Sequence, residues 1–336
     1  MSNTEASSAI NENYVAVIIV NYKTATLALK ALKSLANERQ FLPNLKTVVV
    51  DNQSPDDSFS QLQNFIAEND YSSWVKAELA EKNGGFAYGN NVGIATYQAS
   101  FQKADKREPN FYWLLNPDAF LRPQAGVKLV EFLGQYPNAI GGSRLEDADG
   151  TLQLSTFNFP SAMSEILAGF GLGILDRIFS RHRVLRNNVD KPEKIDWVAG
   201  ASLMIPIDIF NRVGPMDDDY FLYFEEVDYC LQIQRAGYDC WYIPESRVVH
   251  EVGAATGISD TRKKQPRRPQ YWFESRQRYF RKNFGVWATL IADAGWATGY
   301  ALWCARKYFT DREDFDRQPP MMLRDFLRYS SLKFWG

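Results

Sequence analysis

The chain has 336 residues, of which 45% are hydrophobic and 23% are charged, so it is long enough to bury a full-sized core. Its 38 Lys and Arg against 40 Asp and Glu give a net charge of −2, which argues against a protein whose whole surface is built to bind nucleic acid. Three cysteines without a CxxC spacing indicate neither a disulfide framework nor a structural zinc site, and they favour a reducing cytosol.

Strand and helix patterns alternate through the first half of the chain. Residues 14–20 are a continuous, largely β-branched run, which is typical of a strand buried on both faces of a sheet. The other elements are predicted as strands at 46–50, 75–79 and 111–115 and as helices at 26–35, at 58–66, after Gly85 and at 124–133. This alternation predicts an α/β fold with a mostly parallel, doubly wound sheet and helices on both faces.

Polar residues cluster where these strands end. Asn21 follows the first strand, Asp51 the second, Asn83-Gly84-Gly85 the third and Asn116-Pro117-Asp118 the fourth. Ligands of open α/β sheets bind beyond the carboxyl ends of the strands. The sequence therefore predicts a binding site at this edge of the sheet.

The second half of the chain is less regular. The elements predicted there are an apolar helical stretch at 163–179, strands at 202–205, 240–244 and 248–250, and a helix at 207–213. After about residue 260 the composition becomes basic and aromatic. We therefore expect a disordered leader without a secretory signal at 1–13, a main domain at 14–260 and a helical extension at 261–336.

The Asn-Pro-Asp segment at 116–118 is a candidate metal site. Asp118 lies just past a buried strand, and Asn116 lies two positions before it, so both side chains can face one ligand. A carboxylate with a neighbouring amide suits Mg²⁺ or Mn²⁺, which take oxygen ligands and leave positions open for phosphate. A turn or helix cap is the alternative, because Asn-Pro-Asp is common in turns.

The acidic block at 221–228 is a candidate catalytic site. Glu225, Glu226 and Asp228 stand among large aromatic and aliphatic residues. Such surroundings raise the pKa of a carboxyl group, which suits a base that takes a proton from a hydroxyl. Helix capping is the alternative, and it explains one or two of the three acids.

Two further features are less specific. His250 follows a short apolar strand, as a metal ligand at a strand end would, although a lone histidine is more often structural. Gly85, Gly89 and Gly93 lie in a glycine-rich segment that is neither a P-loop nor a GxGxxG motif, and their spacing of four also fits close helix packing.

In this order the segments resemble the family 2 glycosyltransferases, especially the bacterial rhamnosyltransferase-like branch that builds surface polysaccharides. Seven segments across residues 14–257 carry the resemblance, namely 17–22, 49–54, 83–93, 115–119, 200–205, 221–230 and 249–250. The resemblance implies a GT-A fold and a metal-dependent, inverting glycosyltransferase. Its donor would be a nucleoside diphosphate sugar, with dTDP-rhamnose favoured, and its metal Mg²⁺ or Mn²⁺.

The resemblance also implies roles for individual residues. The nucleotide sugar would be bound by Asn21, Asp51, Asn83, Gly84, Gly85, Asn116 and Asp118. Asp118 would hold the metal, and His250 would contact the metal or the diphosphate. Glu226 occupies the position of the catalytic base, where the family more often has Asp, so Asp228 remains a rival for that role.

The C-terminal extension indicates where the enzyme works. Between residues 262 and 282 the chain has nine Lys or Arg and one acid, Glu274, and four tryptophans lie between 272 and 303. Asp293 interrupts the apolar run at 284–305, and a charge at the centre of a bilayer costs roughly 2.5–3.5 kcal/mol. We expect residues 262–305 to lie in the membrane interface, peripheral to the inner face, rather than to span the membrane.

A helical hairpin that packs on the main domain, or on a second copy in a homodimer, is the alternative for this extension. The acceptor implied by the resemblance is a saccharide or a lipid-linked saccharide, the location is cytoplasmic, and no nucleic-acid partner is expected.

Two other functions remain open. A sugar nucleotidyltransferase would need a glycine-rich basic loop after the first strand, where this chain has Asn21-Tyr22-Lys23-Thr24, and a catalytically silent binding protein would not need Asp118, Glu226 and His250.

Overall fold

The computed structural model describes residues 12–172, 177–186, 189–251, 266–306 and 319–332. Within these ranges the strands are β1 (Val15–Asn21), β2 (Leu45–Asp51), β3 (Val75–Leu79), β4 (Phe111–Leu115), β5 (Ala119–Leu121), β6 (Ala139–Glu146), β7 (Glu193–Ile195), β8 (Ser202–Pro206) and β9 (Asp239–His250). The longer helices are α1 (Ala25–Glu38), α2 (Ser58–Glu68), α3 (Gly85–Tyr97), α4 (Ala125–Gln135), α5 (Ala162–Phe170), α6 (Ile207–Val213), α7 (Glu225–Arg235), α8 (Gln270–Arg306) and α9 (Met322–Tyr329). Short helical turns lie at Tyr71–Ser73, Gln98–Gln102, Lys103–Asp105 and Ser180–His182.

The strands of the described residues form one sheet, in the order β3-β2-β1-β4-β8-β6-β9-β5, with β7 beside β9. Strands β1 to β4 are mutually parallel, and β6 is parallel to β9. Strand β8 runs antiparallel to both β4 and β6, and β5 and β7 run antiparallel to β9. The expected α/β fold is confirmed, with a parallel first half and a mixed second half.

Strand β1 is buried along its whole length because it is covered on both faces. Val15, Val17 and Ile19 belong to the main hydrophobic core. On the other face, α3 lies so close that a Cβ at Gly89 or Gly93 would meet the side chains of Val20 and Ile18. The spacing of four between these glycines therefore serves helix packing.

Strand β9 differs from the prediction of two short strands at 240–244 and 248–250. It is one strand of 12 residues whose pairing with β6 shifts register between Ser143 and Arg144. Pro244 has no N–H to donate to a ladder, and pairing resumes at Arg247 beyond it. Because β6 supplies partners on both sides of this irregularity, the strand continues to His250.

The chain divides into two compact units. Unit 1 comprises Met1–Thr156, Asn187–Phe221 and Glu225–Thr256, and it contains the sheet. Unit 2 comprises Phe157–Arg186, Leu222–Phe224 and Gly257–Gly336. Unit 2 begins earlier in the chain than the composition change near residue 260, because α5 packs on α8.

Unit 2 has a core of its own, formed by Phe273, Trp296, Met322 and Phe326. The backbones of α5 and α8 approach closely at Gly169, where a Cβ would overlap the backbone of Trp296.

None of the described helices has both the length and the apolar character needed to cross a bilayer.

Candidate active site

The ends of β1 and β2 are joined by buried polar side chains. Asn21 Nδ2 donates to Asp51 Oδ2 at 2.7 Å, and the backbone N–H of Ser54 donates to Asp51 Oδ1 at 2.7 Å. Asn21 Oδ1 accepts in turn from the backbone N–H and the hydroxyl of Thr24. Both Asn21 and Asp51 are fully buried, so they fix the two loops that follow these strands.

The loop after β3 is tied to the same edge of the sheet by Asn52. Its Nδ2 donates to Asn83 Oδ1 at 3.1 Å and to the carbonyl of Gly85 at 2.9 Å. Asn83 Oδ1 also accepts from the N–H of Gly85 at 3.3 Å. No role was predicted for Asn52 from the sequence. Its position directly after Asp51 was the available signal.

Gly85 brings this loop against the segment that precedes α7. It has φ +89°, and a Cβ there would overlap the carbonyl oxygen of Phe221. The N–H of Phe86 donates to that same oxygen at 3.0 Å. Gly84 is equally crowded, because a Cβ on it would overlap the ring of Tyr88. Glycine is therefore required at 85 both by conformation and by contact.

Asp118 and His250 lie next to each other at the end of β9. Ala119 pairs with His250 across β5 and β9, and the N–H of Glu251 donates to the carbonyl of Asp118 at 3.0 Å. The distance from His250 Nε2 to Asp118 Oδ1 is 3.4 Å. The two predicted metal-binding residues, 132 positions apart in sequence, are thus brought together by the pairing of two strands.

The Asp118–His250 pair fits a divalent cation. Asp118 is 2% exposed, and its Oδ1 has no hydrogen-bond partner among the described residues. A buried carboxylate oxygen that faces an imidazole nitrogen is a donor set for Mg²⁺ or Mn²⁺. The described residues hold no group of three or more His, Cys, Asp or Glu side chains suited to a metal, so further ligands would come from phosphate oxygens and water.

Asn116, which was predicted to bind the nucleotide sugar together with Asp118, lies in a turn. Its N–H donates to the carbonyl of Ala201 at 3.1 Å, and its carbonyl accepts from Ala119 at 3.1 Å. These bonds link the end of β4 to the start of β8.

Helix α7 begins with two glutamates in different surroundings. Glu225 is 4% exposed, whereas Glu226 is partly exposed, and the Oε2 atom of each has no hydrogen-bond partner among the described residues. Burial raises the pKa of Glu226 to about 7. Burial, and then the charge of Glu226, raise the pKa of Glu225 well above its ordinary range. Asp228 is 1% exposed and accepts from Gln232 Nε2 at 3.4 Å.

The segment at Gly200 and Ala201 connects these groups. A Cβ on Gly200 would lie 3.1 Å from the ring of Phe86 and 3.9 Å from Glu226 Cβ. Ala201 accepts the hydrogen bond from Asn116. The glycine-rich loop, the start of α7 and the Asn-Pro-Asp turn therefore meet around one short segment. No role was predicted for Gly200, although it begins one of the segments that carry the resemblance and lies just before a buried strand.

No protein-family model matches the sequence. Among curated proteins, the chain is similar to rhamnosyltransferase WbbL of Escherichia coli K12, at 25% identity over 168 residues that cover 49% of this chain and 60% of the relative. It is also similar to an N-acetylglucosaminyl-diphospho-decaprenol L-rhamnosyltransferase of Mycobacterium tuberculosis, at 24% identity over 193 residues that cover 55% of this chain and 62% of the relative. The matches thus span less than two thirds of these relatives.

Among solved structures, the fold is similar to that of the mannosyltransferase PcManGT from Pyrobaculum calidifontis in complex with GDP-Man and Mn²⁺. The TM-score is 0.54 at 15% identity, over 90% of this chain and 77% of that one. At this identity the likeness concerns the fold alone, and it confirms the expected GT-A fold. The curated relatives confirm the resemblance to the rhamnosyltransferase-like glycosyltransferases.

Proposed function

We propose that this chain is an inverting glycosyltransferase that moves a sugar from a nucleoside diphosphate to a hydroxyl of a saccharide acceptor. The observation that carries the proposal is Glu226, a partly exposed residue whose buried Oε2 has no hydrogen-bond partner among the described residues. It lies in the same unit as the Asp118–His250 pair and beside Gly200, and the adjoining Ala201 accepts a hydrogen bond from Asn116, two positions before Asp118.

Glu226 is the proposed catalytic base. With a pKa of about 7, it is substantially ionised at neutral pH and is a stronger base than an ordinary carboxylate. It accepts the proton of the acceptor hydroxyl while that oxygen forms a bond to the anomeric carbon, from the face opposite the nucleoside diphosphate. The bond from that carbon to the diphosphate breaks in the same step, which inverts the anomeric centre. The buried Asp228, engaged by Gln232, is the weaker candidate.

The strand-end residues are proposed to bind the donor. Asn21 and Asp51 shape the nucleotide site by fixing its loops, and Asn83, Gly84 and Gly85 with Asn116 line the approach to the diphosphate. Asp118 and His250 would hold Mg²⁺ or Mn²⁺, which when bound neutralises charge on the leaving diphosphate.

The proposed donor is dTDP-rhamnose, and the proposed acceptor is a lipid-linked saccharide used in bacterial surface polysaccharide synthesis. Two curated relatives are named rhamnosyltransferases, and the name of the mycobacterial protein describes a lipid diphosphate-linked sugar as its acceptor. An enzyme with such an acceptor would act on the cytoplasmic side, at the inner face of the membrane. A sugar nucleotidyltransferase and a catalytically silent sugar-nucleotide-binding protein are not favoured by these relatives.

The test is a panel of nucleotide sugars with Mg²⁺ or Mn²⁺, scored for hydrolysis and for transfer. We expect dTDP-rhamnose to be consumed, and Glu226→Gln to lower the rate about 10²–10⁴-fold, as loss of a general base does. Asp118→Ala should lower the rate and weaken the response to metal. The exposed Glu245→Gln is the matched control and should leave the rate unchanged. If no sugar nucleotide is bound or turned over, the proposed function is wrong.

A further inference from the structure

The second half of α8 is apolar around most of its circumference. From Val286 to Ala305 its single charged residue is Asp293, which is buried and bonded to Arg276. One face of this segment packs on α5 and α9, through Trp296 and Gly299 among others. A helix apolar on all sides is normally buried on all sides.

The opposite face of this segment is exposed. Trp287 is 81% exposed, Ile291 59% and Leu302 49%. The exposed residues at helical spacing are Trp287, Ile291, Ala294, Thr298, Ala301, Leu302 and Ala305, and we call them the apolar stripe. At 1.5 Å per residue the stripe is about 27 Å long. A contiguous uncharged surface of this kind marks a site of association.

A basic cluster precedes the stripe in the chain, before the break in α8 at Gly285. Arg278, Arg281 and Lys282, with Glu274 and Gln277, line an open cavity of about 490 Å³. Among these lining residues three side chains are positively charged and one, Glu274, is negatively charged. The backbone of Gly285, at φ +81°, separates this part of α8 from the stripe.

We infer that the apolar stripe and the basic cluster together form the surface by which this chain binds an anionic lipid bilayer. The stripe enters the boundary between headgroups and acyl chains, with Trp287 at that boundary, and Arg281 and Lys282 take the lipid phosphates. This assignment deepens the proposed function, since a lipid-linked acceptor is presented at such a surface. It is tested by binding and not by transfer.

Charge complementarity selects the bilayer over a second copy of the chain. The residues lining the cavity carry three positive charges and one negative charge, which lipid phosphates can neutralise and an identical basic cluster on a second copy cannot. An anionic bilayer offers hydrocarbon to the stripe and phosphate to the basic cluster.

The experiment is flotation of the protein with two kinds of vesicle. One is made of phosphatidylcholine alone, and the other also contains about 30 mol% phosphatidylglycerol. We expect binding to the anionic vesicles and at least tenfold weaker binding to the neutral ones. Trp287→Ser combined with Ile291→Ser should lower binding at least tenfold. Arg281→Gln combined with Lys282→Gln should lower it about fivefold for each charge, and high salt should mimic that loss.

Matched controls distinguish binding through this surface from nonspecific binding to lipid. Leu154→Ser combined with Ile178→Ser changes two side chains of similar exposure outside α8, and Lys103→Gln combined with Lys106→Gln removes two exposed charges from unit 1. Both should bind as the wild type does. Glu226→Gln should also bind normally, so a failed transfer assay and a failed vesicle assay are distinguishable. Leu302→Ser provides a third, independent change within the stripe.

Two results overturn the inference. One is equal vesicle binding by the stripe variants and the wild type. The other is a dimer in sedimentation that becomes a monomer in the variant Trp287→Ser with Ile291→Ser, while vesicle binding stays unchanged. The stripe would then be a contact between copies of the chain. Circular dichroism of each variant confirms that the fold is retained.

Discussion

Glu225 and Glu226 are neighbours with the same chemistry but with different exposure. Glu225 is almost fully buried, and burial together with the charge of Glu226 holds its pKa well above the ordinary range. Glu226 is partly exposed as a residue although its Oε2 is buried, and burial raises its pKa to about 7. When their surroundings separate the pKa values of two carboxyl groups, the two can take different acid and base roles.

The pH dependence of the reaction follows from this separation. The base must be ionised, so kcat/KM should fall about tenfold per pH unit below about pH 7 and level off above it. Glu225→Gln removes the neighbouring carboxyl group but keeps the length of the side chain, so a group with a pKa near 7 should still control the rate. The measurement is a kcat/KM profile between about pH 5 and 9 for both proteins. A midpoint near the ordinary pKa of a glutamate would contradict the assignment of Glu226.

At the scale of elements, helix α4 begins on a side chain from another helix. Glu38, at the end of α1, is 1% exposed. Its Oε1 accepts from the N–H groups of Gly126 and Val127, and its Oε2 accepts from Gln124, at 2.9, 3.2 and 2.9 Å. These N–H groups at the start of a helix have no partner within it. A single distant carboxyl group therefore caps α4 and fixes the segment that follows Asp118.

Replacing Glu38 by Gln should destabilise unit 1. The amide NH₂ would face a backbone donor, which breaks at least one hydrogen bond and leaves a buried N–H unpaired, at a cost of about 1–3 kcal/mol. The measurement is the free energy of unfolding in urea. Glu131→Gln, which removes only a partly exposed pair with Lys128, is the control and should change stability by less than about 0.5 kcal/mol. Equal losses in the two variants would contradict the capping role.

The sequence predicted those elements whose cause is local. Strands β3 and β4 match the predicted residues 75–79 and 111–115, because continuous apolar runs bounded by polar residues determine them. The joining of β9 across Pro244 was missed, because it depends on pairing with β6. Glu38 was missed for the same reason, since its three partners lie more than 80 residues away.

The candidate site shows the same division. Polar residue types at strand ends and acids in an aromatic frame indicated, without a structure, segments that lie close to one another in the fold. The contact of Gly85 with Phe221 and the closeness of Gly200 to Glu226 could not be predicted, because they join segments more than 25 residues apart. Asp293, which interrupted the apolar run, proves to be the buried partner of Arg276.

At the scale of the whole molecule, the two units have separate cores with different chemistry. Unit 1 is held by apolar side chains on both faces of its sheet. Unit 2 is held in part by Arg276, which is 1% exposed and bonds Asp293 at 2.6 Å and Glu165 at 2.7 Å. Its guanidinium also lies over the rings of Phe280 and Phe326. Arg276 thereby links α5, both halves of α8 and α9.

Arg276→Met should therefore destabilise unit 2 selectively. The single variant leaves the carboxylate of Asp293 buried without its cation, which costs about 3–5 kcal/mol. Arg276→Met with Asp293→Leu removes both charges of this pair and should recover most of that loss. Hydrogen exchange is the measurement. Helices α5, α8 and α9 should lose protection, and strands β1, β2 and β4 should keep it. Arg281→Gln, an exposed arginine on the same helix, is the control. Loss of protection spread evenly over both units would show that they unfold as one. If the double variant does not recover its protection, the effect comes from packing rather than from charge.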